Sequence, residues 1–343
     1  MMAAKKVFIC GNFGYLTNQL DGQTVKTRVL KDELNKRLGS EHISYTDTSY
    51  LKSNALSVIF RIIKNFIRNS HLIIMPDTKA FKFLVPFFVL FKRNRDIRYV
   101  VIGGWLPDYL RGNAFYTKLV SKLDKVYVES KAMKDALENI GLTNVEILHN
   151  FRYFDQQPIR TSEPEEPYRF IFFSRVIKEK GVDLAIHAVR RINHEFGKEV
   201  IRLDIYGPVQ KDYEEELRNL MAGDSVVYKG MLQQNEIHRT LAHYDVMVFP
   251  TYYSAEGFPG VIIDAYISGL PVIASNWKYN GEFVVDGKTG LLFETNNLDD
   301  LCDKIKYLIN NRHVLLNMRM NCYQEAWKYH ADNVIPEIIN DWK

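Results

Sequence analysis

Short apolar runs alternate with amphipathic stretches along the whole chain. In the first half "KVFIC", "HLIIM", "RYVVIGG" and "KVYVES" are strand-length runs of β-branched and aromatic residues. In the second half "YRFIFFS", "IRLDIYG", "SVVYKG", "DVMVFP" and "LPVIAS" repeat the pattern. Between strands, "TVKTRVLKDELNKRLG" sets Val25, Val29, Leu30, Leu34 and Leu38 near a helical period, and Gly39 stops it. "VDLAIHAVRRINHEF", "DYEEELRNLM", "NEIHRTLAHY" and "GVIIDAYISG" read as further helices. Strands that alternate with helices build βαβ units and parallel sheets. A chain of 343 residues exceeds one ordinary core, so two consecutive doubly wound α/β domains are expected. The join lies in "FDQQPIRTSEPEEPYRF", which is polar and carries Pro158, Pro164 and Pro167. The expected layout is a first domain over 1–155, a linker over 156–167 and a second domain over 168–325. A helical segment over 326–343 then packs back on the first domain.

Composition adds little to this until charge is split by domain. The chain is 46% hydrophobic and 25% charged, which suits a globular protein. No apolar run approaches the roughly 18 to 20 residues of a membrane span. The four apolar residues Val7 to Cys10 fall short of a signal-peptide core, which needs roughly 7 to 15. Three cysteines, Cys10, Cys302 and Cys322, have no metal-ligand spacing, and a reduced cytoplasmic compartment fits them. Residues 1–160 carry 25 Lys+Arg against 14 Asp+Glu, whereas the remainder carries 20 against 27. The two halves are therefore expected to face different partners.

In doubly wound sheets, ligands bind beyond the carboxyl ends of the strands, so loops after strands are where chemistry is sought. After "DVMVFP" comes the loop "TYYSAEGF", then a helix opened near Pro259 and stopped by Gly269. Backbone N–H groups around Phe258, Gly260 and Val261 then point into the crevice, ready for an anion. Glu256 approaches from the loop side, and Asp264 shares a helical face with Gly260. After "YRFIFFS", Arg175 and Lys180 stand five positions apart, a planar fork and a point charge suited to a diphosphate. Alone, that pair reads first as a solvated loop, and the two carboxylates equally as complements of a helix dipole. Their joint placement at strand ends of one domain points to a ligand.

These two elements, Arg175…Lys180 and Glu256…Asp264, resemble the Arg-x4-Lys and Glu-x7-Glu motifs of the family 4, or group 1, glycosyltransferases. The likeness continues through "VVYKGMLQQNEIHRTLAHYDVMVFPTYYSAEGFPGVIIDAYISGLPVIAS" and "VVDGKTGLLFE". "DGQTVKTRVLKDEL" aligns more loosely on the family's Gly-Gly loop, with Asp21 in place of the first glycine and Gly22 as the second. The resemblance implies a GT-B fold, two Rossmann-like domains facing across a cleft, with the acceptor on the first. It implies a retaining, metal-independent transfer of sugar from a UDP or GDP sugar to a glycan or lipid-linked acceptor in cell-surface polysaccharide synthesis. Consistently, no Asp-x-Asp occurs anywhere in the sequence. In that scheme Arg175 and Lys180 neutralise the diphosphate, and Asp264 holds the ribose one methylene short of the usual glutamate. Glu256 faces the donor sugar, Gly230 and Met231 line the base pocket, and Gly22 lets the first-domain loop approach the phosphates. His71 reads as a strand-start residue and His149 as a structural one. The rivals are a GT-B sugar-nucleotide epimerase and a catalytically decayed nucleotide-sugar-binding protein. No cofactor is expected.

From Leu51 to Arg98 ten Lys+Arg face only Asp77 and Asp96, interleaved with apolar stretches such as "SVIFRIIKNFIRN". Such a segment can lie on an anionic membrane surface, which would place the protein on the inner face of the membrane. Equally, it can be a pair of core helices with solvated faces. No nucleic-acid-binding motif accompanies the charge.

Overall fold

The protein's structure is a computed structural model describing residues 6–16, 21–156, 159–221 and 225–342. It divides into two compact units, one of residues 1–153 with 329–343, the other Phe154–Lys328. The first holds β1 (Val7–Gly11), β2 (Ile43–Asp47), β3 (His71–Met75), β4 (Asp96–Val100), β5 (Lys125–Val128) and β6 (Val145–Ile147). They form one sheet in the order β2-β1-β3-β4-β5-β6, every pair parallel. β1 and β3 are buried throughout, which is why they read as unbroken apolar runs. β2 and β6 are additions to the expected strands. β2 is an edge strand of sequence ISYTD with its first three residues partly exposed, and β6 is three residues long, so neither leaves an apolar signature.

The step from β1 to β2 runs opposite to every later step in this sheet. Right-handed crossovers therefore put α1 (Gly22–Leu38) on one face and both α2 (Ala55–Arg68) and α3 (Thr78–Leu90) on the other. α2 packs on α3 through Phe66, whose ring lies 5.6 Å from those of Phe87 and Phe88. The closing residues cover the opposite face, where Ala331, Val334, Ile335, Ile338 and Trp342 join a core with Val7, Ile9, Leu30 and Leu34. Two backbone bonds fasten their start: Arg152 N–H donates to the Tyr329 carbonyl (3.0 Å) and Ala331 N–H to that of Arg152 (2.8 Å). The buried Arg98 guanidinium fastens their end, donating to Asp96, to the Ile338 carbonyl and to Asp341.

The second unit holds β7 (Tyr168–Phe173), β8 (Ile201–Tyr206), β9 (Val226–Gly230), β10 (Val246–Phe249), β11 (Val272–Ser275) and β12 (Gly290–Phe293). Its order is β12-β11-β10-β7-β8-β9, again all parallel. The chain winds outward from β7 through β8 to β9, then returns to place β10 on the other side of β7. The junction of β7 and β10 is thus the topological switch point, where crevices open in sheets of this kind. At the amino ends of β7 and β10, buried Asp245 accepts from Arg319 (2.8 Å), Arg160 (3.0 Å) and the Arg169 N–H (2.8 Å). This charge centre draws Arg160 into the unit, so the polar stretch packs with the second unit rather than standing as a separate linker. Gln157 and Pro158 of that stretch lie outside the described residues, as do residues 1–5 and Lys343.

Candidate active site

β7 ends at Phe173, and Ser174 and Arg175 begin the turn that leads to the helix Val182–Phe196. Two glycines shape this end of the sheet. A Cβ on Gly207 would lie 1.7 Å from the Ser174 carbonyl oxygen, so the turn after β8 rests directly on the turn after β7. Gly181 has φ +72°, and a Cβ there would meet the Pro250 carbonyl oxygen at 2.3 Å. Only glycine lets the turn after β7 touch the end of β10. The contact brings Lys180 against the loop after β10, where its Nζ lies 2.5 Å from Glu256 Oε2. Both residues are buried, Lys180 5% and Glu256 8% exposed. The Thr251 hydroxyl donates to the same carboxylate oxygen at 2.9 Å.

The loop after β10 is pinned on several sides. Tyr252 N–H donates to the Glu179 carbonyl (2.8 Å), the Ser275 hydroxyl to that of Thr251 (2.5 Å), and Trp277 Nε1 to that of Tyr253 (2.9 Å). Phe258 stacks flat on Phe283, ring centroids 3.6 Å apart. Pro259 stands just before the helix Gly260–Ile267 rather than inside its first turn, and no side chain caps that helix. One turn in, buried Asp264 has its Oδ1 3.3 Å from His238 Nε2 on the short helix Ile237–Leu241. The Ser268 hydroxyl ties the two helices, donating to the His238 and Asp264 carbonyls.

Charge is distributed unevenly across this site. Lys180 is neutralised by Glu256, so the exposed cation is Arg175, whose guanidinium sits 5.0 Å over the Tyr253 ring. Lys180 itself lies 5.1 Å from that ring centroid and 5.3 Å from that of Phe249. Arg175, Tyr253, Lys180 and Glu256 thus form one cluster, and Asp264 follows a helical turn beyond. Met231, just past the end of β9, is exposed. Gly22 opens α1 in the first unit, and a Cβ added there would meet nothing within 4 Å. Its neighbour Asp21 caps the same helix. The Asp21 side chain accepts from Thr24 N–H at 2.9 Å while the Thr24 hydroxyl accepts from Asp21 N–H. Thr251, Tyr253 and His238 join the site without having been singled out by any motif. His238 finds Asp264 on another helix, whereas Thr251 and Tyr253 carry no signal beyond belonging to the loop after β10.

A family model described as "Glycosyl transferases group 1" matches residues 154–329, just over half of the chain. The chain belongs to that family. Among curated relatives of this group 1 protein, an uncharacterized glycosyltransferase of Methanocaldococcus jannaschii is 29% identical over 237 residues, covering 65% of this chain and 60% of its own length. The GtfA subunit of a UDP-N-acetylglucosamine–peptide N-acetylglucosaminyltransferase from Streptococcus gordonii is 31% identical, over 56% of this chain and 39% of that one. The matched region thus falls short of two thirds of either relative. Among solved structures, Anabaena HepE in complex with UDP and glucose superposes with a TM-score of 0.75 at 16% identity, covering 98% of each chain. Staphylococcus aureus TarM superposes at 0.63 and 20% identity, over 78% of this chain and 54% of its own. The architecture is accordingly the two-domain α/β GT-B fold. Among the described residues, no helix is long and apolar enough to cross a membrane.

Proposed function

We propose that this group 1 protein transfers a sugar from a nucleoside-diphosphate sugar, with retention of anomeric configuration, to a glycan or lipid-linked acceptor. The reading is carried by one observation. An exposed Arg175, a buried Lys180–Glu256 pair and an uncapped helix start surround the switch point of one parallel sheet. As the anomeric C–O bond to the diphosphate breaks, positive charge grows on the sugar carbon and negative charge on the departing phosphate. Arg175 meets that phosphate as a planar fork, and the N–H groups of Gly260 and Val261 add the positive end of the helix. Lys180 contributes its remaining donors while Glu256 holds its ammonium in place. When the sugar's charge develops, the Glu256 carboxylate is the anion beside it. The acceptor oxygen bonds to the anomeric carbon and its proton passes to the departing phosphate, so no further base and no metal ion is needed. Asp264, positioned by His238, accepts from the ribose hydroxyls, and Met231 flanks the base.

UDP is the preferred nucleotide, because the structures of HepE and TarM include complexes with UDP; GDP is the alternative. Assembly of a cell-surface polysaccharide from the cytoplasmic side fits the acceptor class. Calorimetric titration with UDP, GDP and ADP, on wild type and Arg175→Ala, tests the site. One diphosphate binding at least tenfold more weakly to the variant is expected. Equal affinity for both proteins would overturn the assignment of Arg175 and, with it, the diphosphate site. The anomeric configuration of the product, read by NMR, tests retention.

A further inference from the structure

A surface helix ordinarily carries one apolar stripe, turned to the core. On α2 the apolar face is far wider. At 3.6 residues per turn, Val58, Ile62 and Phe66 form its buried edge, and it continues without a polar break through Ile59 to Ile63, Leu56, Ile67 and Phe60, roughly 200° in all. That outer part is in solvent: Leu56 is 84% exposed and Phe60 66%. Arg61, Lys64 and Arg68 follow on its far side, all exposed, and none of them has an ion-pair partner among the described residues. α3 lies on the same face of the sheet and repeats the arrangement. Phe83 and Leu90, seven positions apart, are 77% and 76% exposed, with exposed Lys79 one turn before Phe83. The lone carboxylate on this pair of helices is Asp77, whose oxygen accepts from the Lys79 and Ala80 N–H groups at the start of α3.

We propose that α2 and α3 together dock the protein on an anionic phospholipid bilayer, with Leu56, Phe60, Ile67, Phe83 and Leu90 entering the acyl boundary. The cations beside them take the lipid phosphates. Protruding apolar tips flanked by cations that have no ion-pair partner among the described residues suit a soft anionic interface. A second copy of this chain fits poorly, since it would bring like charges face to face. Docking here requires no turnover and stands apart from the transferase reading, while explaining how a lipid-linked acceptor would be met.

The test is flotation of the full chain with phosphatidylcholine vesicles, with and without phosphatidylglycerol. Binding is expected to the anionic vesicles only and to weaken with salt. Arg61→Gln/Lys64→Gln/Arg68→Gln should lower partitioning roughly 100-fold, at roughly fivefold per cation. Phe60→Ser/Phe83→Ser should also reduce it, and neither variant should alter nucleotide affinity. Three results would each overturn the proposal. They are no flotation at low salt, equal flotation of wild type and both variants, or a wild-type dimer in sedimentation that Phe60→Ser/Phe83→Ser dissociates.

Discussion

The ion pair between Lys180 and Glu256 couples the stability of the second unit to its chemistry. The two charges are 2.5 Å apart and almost fully buried, and the Thr251 hydroxyl is the further partner on Glu256 Oε2. Glu256→Gln leaves an ammonium buried without a counter-charge, and Lys180→Met leaves a carboxylate held by one hydroxyl. Breaking a buried pair from one side costs about 3 to 5 kcal/mol, because the remaining charge keeps its desolvation penalty. For a unit of this size that corresponds to a fall in Tm of roughly 6 to 20 °C. The double variant Lys180→Met/Glu256→Gln removes both charges and should recover more than half of the summed loss. Thermal denaturation of the four proteins, followed by circular dichroism, gives the coupling energy directly. Losses that simply add, with coupling below about 0.5 kcal/mol, would show that the pair does not hold the two loops together. The double variant should remain folded yet be inactive in sugar transfer, which separates stability from catalysis.

Gly181→Ala forces a Cβ toward the Pro250 carbonyl at a positive φ, and should destabilise the unit by about 2 kcal/mol or more, read as a shifted urea midpoint. Because the strain falls between Lys180 and the loop after β10, nucleotide affinity should drop with it. Asp264→Ala should weaken UDP binding about tenfold, and 2′-deoxy-UDP should then bind the variant no worse than UDP does. At the end of the first unit, burial would raise the Asp341 carboxyl, but hydrogen bonds from Lys125 and Arg98 hold it down from 3.8 to about 2. A depressed carboxylate stabilises the fold above its unfolded pKa and loses that contribution as pH falls toward 2. Asp341→Asn should therefore melt lower at neutral pH, by under about 1 kcal/mol since the side chain is half exposed. The gap should close on acidification.

How much of this protein is legible in its sequence depends on burial and on neighbourhood along the chain. Inner strands such as β1 and β3 are covered on both faces and read as plain apolar runs, whereas β2 on the edge mixes both kinds of residue. The motif residues are visible because each pair lies within one strand–loop–helix unit. The bond from Lys180 to Glu256 spans 76 positions and exists because β7 and β10 are sheet neighbours out of chain order. No periodicity encodes that adjacency. His238 beside Asp264 is hidden because the two sit on successive helices either side of β10, and the period of neither helix says how they pack on each other. Asp21 is a different case: an Asp three residues before Thr24 at a helix start is a capping signal in the sequence itself. Comparison with a glycine motif alone passes over it.

The return of residues 329–342 to the first unit bears on the order in which the protein is made. A ribosome delivers β1 to β6 first, yet Ile338 and Trp342, which complete the core against Val7 and Leu30, emerge only after the whole second unit has been synthesised. Arg98 likewise waits for Asp341. The second unit, contiguous in sequence, has all its parts as soon as Lys328 is out. The half that begins first is therefore finished last, and during synthesis its unfinished sheet face is a surface for chaperones to shield.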